Sequence, residues 1–419
     1  MPIFAPAVYP VANRYISIGK EAAGQPGSVA AATFTLPMTQ FKPVDKVGYL
    51  EDNAWRNAMA EVFNMIAGVQ IADISMGGPL FLDGIGYVLA DVLGDYWQAV
   101  NGTSSVTTSL SGSVAIGATT IVPANGGTGI SVNQTISIGA LGTTAEEVRT
   151  VTASSGGTLT LNSALYQGHA SGSTVIAYSA VTNYIHNFSL LNNGVGMGGW
   201  TASQPPTYTY IDVTGLPAGT GARNYAYTCF SEVTITGDAQ GLVMWDGKAT
   251  AMASQINSVT PAATTSSVMP QASWRCSVNL SGAGTGNTAD WKLTLARKIA
   301  PKFTNNGQQG PYAIARGALG ANMNWTFDPA SDEAEYLLYR NQVQPTASFV
   351  ATNGLSGTAA GTLSIFGQVI AFDTSELDDS KDVFGYNQTA KLVGNTTNAG
   401  PSGGYSPCSI QLVNQVVNY

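Results

Sequence analysis

Two glycine motifs, two histidines, a few clustered carboxylates and three cysteines are the residues from which this chain could build chemistry. Gly194-Val195-Gly196-Met197-Gly198-Gly199 satisfies GxGxxG, but a dinucleotide site needs a strand before the motif and a helix after it. Here Trp200-Thr201-Ala202-Ser203-Gln204-Pro205-Pro206 follows, and its prolines exclude that helix. Gly400-Pro401-Ser402-Gly403-Gly404 satisfies GxSxG. The nucleophile elbow puts its histidine later in the chain, whereas His169 and His186 both come earlier, and both read as structural. Asp373, Glu376, Asp378, Asp379 and Asp382 lack the ligand spacing and glycine of an EF-hand and read as a solvated turn. Glu146 and Glu147 would form a glycosidase pair only by facing one another across a substrate, and neighbours on a strand point to opposite faces. Cys229, Cys276 and Cys408 are odd in number and outside any CxxC spacing. They read as small, buried residues rather than a disulfide framework or zinc site. No catalytic, metal or cofactor-binding residue is assigned, and no enzyme is expected.

Composition narrows the class. The chain has 419 residues, of which 48 are glycine and only 10% are charged, against roughly 25% charged residues in an ordinary soluble domain. Hydrophobic residues at 44% exclude a disordered chain. With mean hydropathy at +0.08, the missing charge is replaced by Ser, Thr, Asn and Gly. A monomer of this size with so few charges is poorly protected in solution, so much of its surface is expected to lie against other protein. The net charge of −8 argues against tight binding to phosphate backbones, which takes clustered Lys and Arg. The first twenty residues lack the basic and unbroken apolar regions of a signal peptide, and no apolar stretch is long enough for a membrane-spanning helix.

These residues must be carried by elements that the patterning predicts to be mostly strands. Ser273–Ser281, Asp290–Lys298 and Leu319–Asp328 alternate apolar and polar residues as half-buried antiparallel strands do, and the first two read as a hairpin turning at Gly282–Asn287. Thr362–Phe372 and Cys408–Asn418 read as further strands. Between Pro43 and Trp97 the pattern predicts helix, strand, helix. Trp55, Met59, Val62, Phe63 and Ile66 recur at helical spacing as a core stripe, closed by Gly68, and Ile85, Val88, Leu89, Val92 and Leu93 form a second stripe. Ser331–Arg340 predicts a short third helix, while Thr250–Gln271 and Val350–Gly361 read as linkers. Residues 1–42 read as an extended arm, since Pro2, Pro6 and Pro10 forbid a helix. From 106 to 180 short β runs separated by Gly-rich turns indicate an inserted all-β unit.

Several segments resemble the major tail tube protein of bacteriophages with long, non-contractile tails. They are Asp45–Arg56, Gly78-Pro79 with Phe81, Leu93-Gly94-Asp95, Ser273-Trp274-Arg275, Asp290-Trp291, Gly310–Gly317 and Gly403–Pro407. The resemblance implies a mainly β fold, a tube-type β-sandwich or barrel with flanking helices. One tube domain would then be split into residues 1–105 and 181–419 by the insert at 106–180, which would decorate the tail exterior. It implies a virion structural protein, assembled in the host cytoplasm, whose six-membered rings stack into a tube. Double-stranded DNA would pass through that tube during ejection, and a ring of six would carry 6 × (−8) = −48, repelling phosphate. Partners would be further copies of the chain, a tape-measure protein, and tail-tip and terminator proteins. Inter-subunit contacts are expected at Phe4, Val8, Tyr9 and Val11 of the arm and at Ile256 and Val259. The alternatives are a β-rich phage adhesin or capsid decoration protein and, more remotely, a tail-associated glycan hydrolase.

Overall fold

Short runs of β-branched, aromatic and hydroxyl side chains, punctuated by glycine, favour extended backbone. The computed structural model describes residues 11–22, 24–57, 59–192, 204–214, 221–256, 264–281, 287–328, 333–379 and 384–419. The first third holds β1 (Tyr15–Lys20), β2 (Phe34–Leu36), β3 (Gln40–Asp52), β4 (Asn64–Pro79), α1 (Ile85–Leu93) and β5 (Gly94–Ser109). Then come β6 (Thr120–Ile121), β7 (Thr135–Ile138), β8 (Glu147–Ser155), β9 (Thr158–Leu161) and β10 (Thr174–Leu190). The middle of the chain gives β11 (Tyr208–Val213), β12 (Ala222–Asp238), β13 (Met244–Ala251), β14 (Cys276–Leu280), β15 (Asn287–Lys302) and β16 (Ala313–Asp328). Last are α2 (Ala334–Arg340), β17 (Ala347–Thr352), β18 (Thr362–Gly367), β19 (Ile370–Asp378), β20 (Gly385–Leu392) and β21 (Ser409–Asn414).

Two large antiparallel sheets hold these strands. The first runs β19-β20-β16-β15-β12, and β12 then changes partners along its length. Its first half pairs with β11, leading on to β1 and β2, and its second half pairs with β13, leading to β4 and β3. The second sheet runs β14-β17-β18-β21-β10-β7-β8-β9-β6, with β5 along the other side of β10. Apolar residues of both sheets form one core. Trp291 and Trp325 face each other across β15 and β16, and Phe349 of the second sheet lies 5.4 and 6.1 Å from their rings. A second apolar cluster, including Ile121, Ile136, Ile138, Val151, Leu159 and Leu161, lies wholly within residues 110–177. Long β5 and β10 run from the main core into it.

Helix α1 occupies the second predicted helix and ends on left-handed Gly94 (φ 81°), where a residue without Cβ is favoured. All nine of its residues are buried, so it is part of the core and not a flanking helix. α2 lies within the predicted third helix, and these two short helices are the α-helices among the described residues.

Several expectations are overturned. Residues 43–66 are not a helix: β3 and β4 pair as a long hairpin, so Trp55, Met59, Val62, Phe63 and Ile66 form no core stripe. Their helical spacing arises because apolar residues occupy both faces and the turn of this hairpin, which masks the two-residue period of a strand. Gly77 and Gly78 lie inside β4 and let it press against β13, where a Cβ on Gly77 would come 2.6 Å from the Trp245 carbonyl oxygen. Ser273–Lys298 is not a hairpin, because β14 pairs with β17 in the second sheet while β15 lies in the first. Thr362–Phe372 likewise divides between β18 and β19 in different sheets. The predicted arm is partly sheet, since Tyr15–Lys20 pairs with β11. Asp373, Glu376 and Asp378 lie on edge strand β19 and not in a turn, while Asp382, Gly194–Gly199 and most of the Gly282–Asn287 turn lie outside the described residues.

Candidate assembly surface

The groups with chemical potential are occupied by structural duties. Ser402 of the GxSxG segment donates its hydroxyl to Asp95 Oδ2 at 2.7 Å, and its backbone N–H reaches the same oxygen at 2.9 Å. Burial pushes the Asp95 carboxyl up to about 6, and the contact fastens the 400–404 loop to the start of β5. Glu147 accepts the Tyr166 N–H at 2.7 Å and lies 3.2 Å from His169 Nε2, whereas Glu146 accepts the Gly142 N–H at 2.6 Å. The adjacent carboxyls therefore serve separate partners, and burial pushes Glu146 up to about 7. All three thiols are free. Cys229 and Cys408 are buried and pushed up to about 12, while Cys276 is half-buried. No cluster of three or more His, Cys, Asp or Glu that could hold a metal occurs among the described residues.

His186 is fully buried, with Nδ1 2.7 Å from the Tyr96 hydroxyl and Nε2 3.2 Å from Asn414 Oδ1. Asn414 Nδ2 donates to the Leu82 carbonyl, which leaves Oδ1 to accept from Nε2–H and Nδ1 to accept from tyrosine. Burial pushes the imidazole down to about 3 from 6.5, so the unfolded chain takes up a proton below pH 6.5 that the native state refuses. Its contribution to stability is complete above pH 6.5 and is lost as pH falls towards 3. Between pH 6.5 and 5 the loss is about 2 kcal/mol. His186→Gln should remove that part of the acid sensitivity. Urea-unfolding free energies at the two pH values measure it, and an unchanged difference would contradict a neutral buried imidazole.

The feature without an internal duty is the hairpin of β3 and β4. At its base β4 lies between β13 and β3, which hold residues 72–79 on one side and 40–45 on the other. Phe41, Ala72, Ile74 and Met76 face the core there. Beyond Ala72 the β13 partner ends, and residues 46–52 and 64–71 continue as a two-stranded ribbon. A bulge, with Gly68 and Val69 opposite Gly48, re-registers the strands and increases their twist. By alternation, the face carrying Phe41 and Met76 continues outward as Val47, Tyr49, Met65 and Ala67 with no core beneath it. Leu50 and Ile66 pair on the opposite face. At the turn Trp55 and Met59 are fully exposed. Arg56 pairs with Asp52 and lies 5.3 Å over the Phe63 ring, and the Phe63 N–H bonds the Asp52 carbonyl at 2.8 Å.

The ribbon is braced only near its root. Gln70 donates its backbone N–H to the Gln309 carbonyl at 2.9 Å and its side-chain Nε2 to Gln309 Oε1 at 3.0 Å, Gln309 Nε2 donates to the Gly68 carbonyl at 2.9 Å, and Asp45 accepts the Ser254 N–H at 2.9 Å. An isolated two-stranded hairpin is marginal in water, and here large apolar side chains are exposed on both of its faces and at its turn. Strand β3 also leaves its outer edge unpaired. Lys42, Pro43 and Lys46 guard the inner part of that edge, whereas Val47–Leu50 carries none of the charges or prolines that deter strand addition.

At the root of the ribbon, where β1 and β2 meet the start of β3, lies a cleft of about 400 Å³. Ile16, Leu36, Pro37, Met38 and Phe41 form its apolar wall, with Val11, Arg14 and Tyr15 at the rim. Arg14 is held by two bonds of 2.8 Å to Asp212, and its guanidinium lies 5.6 Å from the Phe41 ring centre.

Of the expected contact residues, Val11 is exposed at this cleft and Ile256 is exposed beyond β13. Phe4, Val8, Tyr9 and Val259 lie outside the described residues. Sequence reasoning missed Val47, Tyr49, Leu50 and Met65, because Gly68 was read as a helix stop and not as a bulge within a strand that continues through it. No protein-family model matches the chain, and no curated protein is similar enough to it to count as a relative.

Proposed function

We propose that this chain is a self-assembling structural subunit of a virion, forming stacked six-membered rings that make the tube of a long, non-contractile phage tail. The tube would conduct double-stranded DNA and, during assembly, hold a tape-measure protein between tip and terminator proteins. The observation that carries this reading is the projecting ribbon, whose apolar faces and open edge are left uncovered by the other described residues. Low overall charge and the quoted sequence resemblance support it. In the tube-type reading of the fold, the two sheets are the wall and the unit at 106–180, with its own core, stands outside.

A second reading, an adhesin or decoration protein, draws on one further observation. The Asp, Glu, Lys, Arg and His residues between 106 and 180 are Glu146, Glu147, Arg149 and His169, all buried. That unit therefore presents hydroxyls, amides and small apolar groups without formal charge, a surface suited to a neutral partner.

Electron microscopy of the concentrated protein separates the two. Hollow, regularly striated tubes are expected, and persistent single particles that bind a glycan array would overturn the tube reading. Tyr49→Gln with Met65→Gln should leave the unfolding free energy within about 0.5 kcal/mol of wild type, since both residues are exposed, yet abolish tubes. Tubes of normal yield from that variant would remove the ribbon from the argument.

A further inference from the structure

We propose that Asn306-Gly307 is a self-modification site, at which the chain converts its own asparagine to aspartate or isoaspartate and so loosens a brace on β4. Asn-Gly pairs occur at 101, 125, 193, 306 and 353. All offer the same chemistry, because a glycine without Cβ leaves its backbone nitrogen open to the preceding side chain. That nitrogen attacks Cγ of the asparagine, the Cγ–Nδ2 bond breaks, and ammonia leaves with the proton the nitrogen gives up. Water then opens the cyclic imide at either carbonyl. One product is aspartate, and the other is an isoaspartyl linkage with one more carbon in the main chain.

Hydrogen bonding separates the pairs. Asn193 lies outside the described residues. Asn101 is on β5, where Gly102 pairs with Val181 of β10 and Asn101 Nδ2 donates to Asn183 Oδ1 at 2.7 Å. Asn125, Asn306 and Asn353 share one turn, in which Oδ1 accepts the N–H two residues on at 3.0, 3.1 and 3.1 Å. They differ at the two atoms that react. At Asn125 the leaving Nδ2 donates to the Thr128 carbonyl at 3.0 Å, and the attacking Gly126 N–H is bonded to the Pro123 carbonyl at 2.9 Å. At Asn353 Nδ2 donates to the Ala359 carbonyl at 2.8 Å, and the Gly354 N–H donates to Thr352 Oγ1 at 3.2 Å. At Asn306 neither atom has a hydrogen-bond partner among the described residues. Asn306 and Gly307 are exposed, but so are Asn125 and Gly126, so bonding and not access makes the difference.

Position gives the change its consequence. The same loop supplies Gln309, whose carbonyl holds the Gln70 N–H and whose Nε2 donates to the Gly68 carbonyl. An extra main-chain carbon at 306 breaks the turn onto the Gln308 N–H and displaces the residues that follow.

Peptide mapping by mass spectrometry, on the full chain aged in mildly alkaline buffer, tests this. Each hydrogen bond that must open first slows the reaction roughly fivefold, so Asn306 should deamidate about 25-fold faster than Asn125 or Asn353. In urea, where those bonds are lost, the three should react at similar rates. The aged chain should also exchange its Gln70 amide hydrogen faster than the fresh chain, and Asn306→Gln should age without that change. Asn125 or Asn353 keeping pace with Asn306 in the folded chain would overturn the assignment, as would an Asn306 that survives ageing intact. Unchanged Gln70 exchange in chains modified at 306 would overturn the coupling to β4.

Discussion

Replacing Asp91 with alanine is expected to cost about 3–5 kcal/mol of unfolding free energy. Asp91 is the one charged residue of α1 and is completely buried. Its Oδ1 lies 3.2 Å from Arg316 Nη2 and accepts the Phe230 N–H at 3.1 Å. Burial pushes the carboxyl up to about 6, with Arg316 opposing that rise, so it is mostly ionised at pH 7. Arg316 also donates to the carbonyls of Pro205 and Pro206 at 2.6 and 3.0 Å. Arg297 donates to the Val92 carbonyl at 2.8 Å, and its own ionisation is lowered to about 10 by burial and by Arg316. Removing the carboxylate leaves two buried cations without their anion, the expensive case for a buried pair. The pair as such need not stabilise: Asp91→Ala combined with Arg316→Met should recover a large part of the loss. Guanidinium unfolding of both variants decides it, and a single-variant loss below about 1 kcal/mol would mean that solvent reaches the site.

Phe349→Ala is expected to cost about 3–5 kcal/mol, the usual result of emptying a packed aromatic site. The ring stands on the Trp291–Trp325 pair and so joins the two sheets at their closest aromatic contact. Phe349→Leu should cost less than the alanine variant, because it retains much of the packed volume. Equal losses for the two would show that ring geometry, not volume, holds the sheets together. Thermal unfolding followed by tryptophan fluorescence reports both the stability and the disturbance of the pair.

The strands with one wet face were readable in the sequence. Leu319–Asp328 alternates because Ala321, Met323, Trp325 and Phe327 enter the core while their neighbours meet solvent, and α1 announced itself by an apolar run stopped at Gly94. The ribbon was not readable for the opposite reason. Its two faces are both apolar, so Trp55 to Ile66 carries no alternation, and spacing alone admitted a helix. Partner choice was also hidden, since Ser273–Lys298 shows two good strands but nothing local states that the chain changes sheets between them. Nor could the sequence show that Asp91 would meet Arg297 and Arg316, for it precedes both by more than 200 residues.

The placement of β21 has a consequence for the order of folding. It lies between β18 and β10, so the second sheet stays incomplete until residue 414 has been made. In the first sheet β4 likewise waits for β13, and β1 for β11. Such distant pairings make closure slow, whereas the unit at 110–177 completes its core from nearby residues and can close while synthesis continues. The apolar residues of the β3–β4 ribbon lie near the start of the chain, so they emerge early and wait until the rest has been made. At a synthesis rate of roughly 5–20 residues per second, that wait lasts tens of seconds, during which adjacent nascent chains on one messenger carry the same uncovered apolar ribbon.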